Sequence, residues 1–374
     1  MSTETTIAEE RVLGEAPAAK ATPIRRLSFL DRFLPLLILA AMGVGLALGR
    51  VVHGFSHALD SAQVTTGVSA PIFVGLLAMM YPVLAKVRYG RLDSVWSDKR
   101  LLATSLVLNW ILGPAVMFGL AWAFLADEPT YRTGIIIVGL ARCIAMVLIW
   151  NDLSYGDREA AAVLVALNSV FQILAYAGLG WFYLVELPRL LGLHGSGGLH
   201  VSVALIAESV AIFLGIPLVA GFLTRTIGEA TKGRAWYEDR FLPRIGPVAL
   251  YGLLFTVVVL FGLQGREITG HPLDVVRIAA PLLCYFAIMW TGSFALGKAI
   301  GLPYERTATL AFTAAGNNFE LAIAVAIGTF GATSGEALAG VVGPLIEVPV
   351  LVGLVYVSLW ARRRFVVAAG EPAS

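Results

Sequence analysis

Charge is scarce in this sequence. Of 374 residues only 14% are Asp, Glu, Lys or Arg, while 58% are hydrophobic; a soluble domain carries about 25% charged residues. With a mean hydropathy of +0.80, the composition excludes a water-soluble globule and indicates a polytopic membrane protein. Cysteine is nearly missing. Cys143 and Cys284 both lie inside apolar stretches, which argues against a secreted disulfide scaffold. The five histidines, His53, His57, His194, His200 and His271, fall in or beside outward loops and form no metal box. Metal-ligand spacing, a phosphate loop, a nucleophile elbow and a Ser/His/Asp set are all lacking, so no cofactor and no ATP-driven engine is expected in the chain. The net charge of +2 comes from basic residues in short loops, not a patch, which excludes nucleic acid as a partner. No alternating pattern supports a β-barrel.

What the sequence has is long apolar runs. A bilayer core requires about 20 mostly apolar residues per helix. Ten segments qualify: 33–52, 66–86, 101–125, 133–151, 158–187, 201–224, 245–264, 276–297, 306–330 and 337–361. The fourth and ninth are the least regular. Lys and Arg counts set the orientation. With ten spans, 21 basic residues fall on the side of the amino-terminal tail and 5 on the other, with Arg142 left inside a span. Both termini are therefore expected in the cytoplasm of a cell whose inner membrane holds the chain. The expected organisation is a disordered cytoplasmic tail (1–30), a first five-helix repeat (31–190), a second (198–362) and a short tail (363–374).

Five spans per half means that the second half starts on the opposite face, so a repeat would be inverted. Sliding the chain by 177 residues places Glu159-Ala160 on Glu336-Ala337, Gly139 on Gly316 and Cys143 on Glu320. That offset makes the fourth and ninth segments partners. The ninth contains Gly316-Asn317-Asn318 before Phe319-Glu320. Glycine and asparagine weaken a helix interior, and a polar break at membrane depth is tolerated only where protein or a cavity covers it. Paired interrupted helices point to a transporter's substrate site.

Few ionisable groups lie inside the segments: Arg142, Glu208, Glu320 and Glu347, with the two thiols. A charge at a helix centre costs about 2.5–3.5 kcal/mol on insertion scales, so each is a functional candidate by default. Cys143 is either a small core residue or, as thiolate beside Arg142, a soft ligand for a metal or metalloid held transiently. Cys284, in "PLLCYFAIMW", has no polar company and is structural. Glu320 either ties helices together or carries protons, since a carboxyl group in low dielectric titrates nearer neutrality. Glu347, between Pro344 and Pro349, is placed to accept a freed amide or to bind substrate. Glu208, nearer a span end, is structural. Arg142 must pair or reach water, and Glu320 or Glu347 are its expected partners.

"GLARCIAMVLIWNDLSYGD", "GNNFELAIAVAIGTFG", "VGPLIEVPVLVGLVYVSLW" and "ESVAIFLGIPLVAGFLTR" resemble the arsenite efflux permeases of the arsenical resistance-3 family, part of the bile acid/arsenite/riboflavin transporter superfamily. The resemblance runs from about residue 30 to 362. It implies an all-α protein of ten transmembrane helices in two inverted five-helix repeats, with broken helices four and nine crossing at the midplane. It also implies export of arsenite, and in some members antimonite, in exchange for protons. The family's essential cysteine matches Cys143 and its essential glutamate matches Glu320. On this footing Cys143 makes a reversible sulfur contact, Asn317 and Asn318 bond the hydroxyls of neutral arsenite, and Glu320 links release to proton entry. Arg142 and Glu347 complete the expected binding set, with arsenite, protons and lipid as partners. A lone thiol suits a carrier, because conduction requires binding weak enough to release. Two other readings are a sodium-coupled organic anion carrier of the same superfamily, with Arg142 meeting the anion, and an intramembrane enzyme with Cys143 as nucleophile. The enzyme reading lacks a histidine partner inside any span.

Overall fold

The structure, a computed structural model, describes residues 29–52, 54, 63–65, 68–86, 98–193, 202–270 and 272–368. All five histidines lie outside them. A helix α1 (Phe29–Val51) leads to a two-stranded antiparallel ribbon, β1 (Gln63–Thr65) and β2 (Val68–Ser69). Within the second apolar stretch Val68–Ser69 is strand, and helix α2 runs from Ala70 to Ala85. Then come α3 (Lys99–Phe124), α4 (Pro129–Leu140), α5 (Met146–Leu153), α6 (Arg158–Leu190), α7 (Val203–Lys232), α8 (Arg234–Leu263), the short α9 (Gly265–Gly270), α10 (Pro272–Ala299), α11 (Tyr304–Ala315), α12 (Phe319–Phe330) and α13 (Gly335–Ala368). Six of these, α3, α6, α7, α8, α10 and α13, are long and apolar enough to cross a membrane.

Four of the long helices pass a proline just after a widened turn. Each contains a π turn, at Leu108–Leu112, Phe182–Glu186, Ala211–Gly215 and Tyr237–Phe241. Pro114, Pro188, Pro217 and Pro243 follow two residues after each turn. A proline ring clashes with the carbonyl four residues back and lacks an N–H; the wider π turn relieves the clash and absorbs the missing bond.

The helices pack as two groups. Helix α8 lies against α1 and α2, and α7 against α2; α3, α4, α10, α11, α12 and α13 form the other group, joined to α7 by α6 and α12. Small residues allow close approach. A Cβ added at Gly343 of α13 would stand 1.7 Å from the ring of Phe319, which is buried. Gly343→Ala is therefore expected to lower the stability of detergent-solubilised protein by about 1–3 kcal/mol, the usual cost of overpacking. Gly353→Ala, with nothing within 4 Å of the new atom, should melt like the wild type.

Candidate functional site

The fourth and ninth apolar stretches are broken helices. Helix α4 ends at Leu140 with Ala141 extended (φ −86°, ψ 121°), and α11 ends at Ala315 with Gly316 extended (φ −71°, ψ 138°). Breaking a helix leaves carbonyls behind the break and amides ahead of it without partners, and buried backbone groups must find some. The two breaks satisfy each other. Arg142 and Asn317 form an antiparallel bridge, in which Cys143 N–H donates to Gly316 O (3.2 Å) and Asn318 N–H to Ala141 O (3.1 Å). Gly316 is needed for this approach, because a Cβ there would come 3.0 Å from Cys143 Cβ.

Two long side chains complete the bridge. Arg142 N–H donates to Gln172 Oε1 (3.0 Å) and Asn317 N–H to Glu347 Oε1 (3.3 Å). Arg142 and Asn317 are 175 residues apart, as are Gln172 and Glu347, and α4 and α11 match end for end at the same spacing. The spacing of 177 is thus corrected to 175, which makes Asn318, not Glu320, the counterpart of Cys143. Register was misread because few side chains are identical; backbone demand, not residue identity, relates the two breaks.

Arg142 is fully buried, and it does not meet Glu320 or Glu347 as expected. Its guanidinium donates to Tyr285 Oη (2.7 Å), to Gly139 O and to Ala314 O (3.5 Å). Those carbonyls belong to the last turns of α4 and α11, so the cation sits where two helix dipoles present their negative ends. A Cβ at Gly113 would meet Arg142 Nη1 at 2.7 Å, so that glycine makes room for the charge. Tyr285 was not legible as a site residue because an aromatic side chain in an apolar run carries no charge, although its hydroxyl is itself a signal. Gln172 was missed because glutamine in a long span carries no charge.

Cys143 is buried, and its Sγ accepts the N–H of Val147 (3.3 Å). The Asn318 Oδ1 caps α12 by accepting from Leu321 N–H (3.0 Å). Asn318 Nδ2 and both side-chain polar atoms of Asn317 are buried without a partner. Glu320 and Glu347 line one cavity between α12, α13 and the α8 face, together with Met146 and Phe319. Cys143 and Arg142 are not among its lining residues. Glu208 is exposed on α7, away from this centre. Among the described residues no group of three or more His, Cys, Asp or Glu could hold a metal ion.

The sodium bile acid symporter family matches residues 73–271. The "Arsenical-resistance protein Acr3" of Corynebacterium glutamicum is 59% identical over 335 residues, 90% of each chain. The chain belongs to the arsenical resistance-3 family. The Acr3 protein of Alkaliphilus metalliredigens is 31% identical over 357 residues, 92% of this chain and 96% of its own. An uncharacterized transporter of Synechocystis sp. is 35% identical over 348 residues, 88% of each. As a member of the arsenical resistance-3 family the protein is a multi-pass membrane transporter and not an enzyme.

Proposed function

We propose that this transporter exports arsenite from the cytoplasm in exchange for protons. The observation that carries the proposal is the bridge between two helix breaks, which sets Cys143 against Gly316 beside a cavity lined by Glu320 and Glu347. In this reading the ten apolar stretches are ten spans in two inverted repeats, 31–190 and 198–362, and the broken helices cross at mid-membrane. The basic-residue bias supports cytoplasmic termini, and the reading sets the chain in the inner membrane.

Arsenite at neutral pH is an uncharged trihydroxide, so the site requires hydrogen bonds and a soft atom, not a counter-charge. The unpartnered side-chain amide of Asn317 and the Asn318 Nδ2 serve its hydroxyls. The Cys143 thiol displaces one hydroxyl, forming an arsenic–sulfur bond and releasing water, and hydrolysis reverses the step. Cys143 does not line the cavity, so reaching the sulfur requires a rearrangement of the site, which alternating access supplies. Glu320 takes up a proton from outside as substrate leaves. Arg142 holds the helix ends and does not contact substrate. That engagement also disfavours a sodium-coupled organic anion carrier, which would need Arg142 to face the anion. Antimonite, another neutral trihydroxide, fits the same chemistry.

In cells lacking other exporters, wild-type protein is expected to lower internal arsenite, and Cys143→Ser to lose at least tenfold of that activity. If the wild type leaves internal arsenite unchanged, export is wrong. If Cys143→Ser exports normally, the thiol role is wrong and the transporter assignment stands.

A further inference from the structure

The cavity has a polar side chain that the site so far does not use. Thr256 of α8 lines it together with Glu320 and Glu347, is 2% exposed, and its Oγ1 has no hydrogen-bond partner. Among the described residues the only other buried threonine hydroxyl without one is that of Thr329 in α12. Thr224, Thr226, Thr231, Thr269, Thr309 and Thr313 each donate to the carbonyl four residues back in their helices. Thr256 lies in an equally regular helix and leaves its hydroxyl free. A buried hydroxyl without a partner is costly, and an unsatisfied group of this kind in a native structure calls for an explanation. Packing also makes space for it: a Cβ added at Gly75 of α2 would stand 2.4 Å from Thr256 Oγ1. All other residues that α1 and α8 bring to this cavity, Ile38, Leu253, Val257, Leu260 and Phe261, are apolar. Thr256 is therefore the sole polar residue that α1 and α8 bring to this cavity, whose α12–α13 side carries the two glutamates.

We infer that Thr256 is a specificity-determining residue that hydrogen-bonds a hydroxyl of the neutral, polyhydroxylated substrate from the side opposite the helix breaks. This inference rests on the arsenite reading above. A hydroxyl both donates and accepts, so Thr256 matches a ligand group that does the same. A site that hydrogen-bonds a ligand hydroxyl also discriminates against ligands that lack one.

The test is arsenite uptake into everted membrane vesicles driven by an imposed proton gradient, with KM and maximal rate measured separately. Thr256→Val keeps the shape and removes the hydroxyl. Its KM is expected to rise about tenfold, the worth of about one hydrogen bond, with a maximal rate within about twofold of wild type. Thr256→Ser restores the hydroxyl and should bring KM back to near the wild-type value, and antimonite competition should weaken in parallel in the Val variant. An unchanged KM in Thr256→Val overturns the inference. So does a Ser variant as impaired as Val, because packing would then be the cause, or a loss confined to the maximal rate. Absence of uptake by wild-type vesicles instead overturns the arsenite reading, and the inference with it.

Discussion

Glu320→Gln is expected to cut arsenite export at least tenfold, with normal amounts of protein in the membrane, and to make residual transport indifferent to an imposed pH gradient. Glu320 stands in the first turn of α12, where the helix dipole favours a negative group, and it lines the cavity. Glutamine keeps the size and the hydrogen-bonding capacity but cannot gain or lose a proton. Glu347→Gln is the informative contrast. Glu347 accepts the freed amide of Asn317, and its counterpart Gln172 does the same for Arg142 with an amide oxygen. Glutamine at 347 should therefore preserve the bridge and lose less than tenfold. Flux and pH dependence in everted vesicles separate the two. If Glu347→Gln is pH-blind while Glu320→Gln remains coupled, the proton carrier is Glu347.

Arg142→Leu is expected to destabilise the protein by at least about 3 kcal/mol, because hydrogen bonds to a charged group are worth about 1.5–3 kcal/mol each and several are lost. The substitution leaves the Tyr285 hydroxyl and the carbonyls of Gly139 and Ala314 without the cation that joins them. Lysine is not a substitute, since its point charge cannot reproduce a planar fork reaching three acceptors. The measurement is the melting temperature of purified protein in detergent, with membrane abundance beside it. A Leu variant that melts like wild type would show that the charge at the crossing is dispensable, as some buried ion pairs are.

Legibility in the sequence followed the strength of the local signal. "GNNFE" announced a break because glycine and two asparagines stand in an apolar run. "GLARC" announced one less clearly, through a single arginine. The strand within the second apolar stretch was not legible because Val68 suits a strand as well as a helix, and the short ribbon ahead of Ala70 leaves no periodic trace. Thr256 was invisible: a threonine in an apolar helix normally bonds its own backbone, and only the packed structure reveals that this one does not.

The sequence by itself determined that this is a polytopic membrane protein, where its apolar stretches run, that two of them are interrupted, and to which family it belongs. Family membership rests on likeness to known sequences; the others follow from composition and local pattern, which the solvent reads residue by residue. Tertiary structure alone decided who meets whom. It sent Arg142 to two helix ends and Tyr285 instead of a carboxylate, paired Gln172 with Glu347 through a spacing of 175, and left Thr256 unpartnered over the cavity. The reason is that a broken helix frees backbone groups whose partners must come from elsewhere in the chain. Which distant side chain supplies them depends on how the helices cross, and no local pattern encodes that crossing.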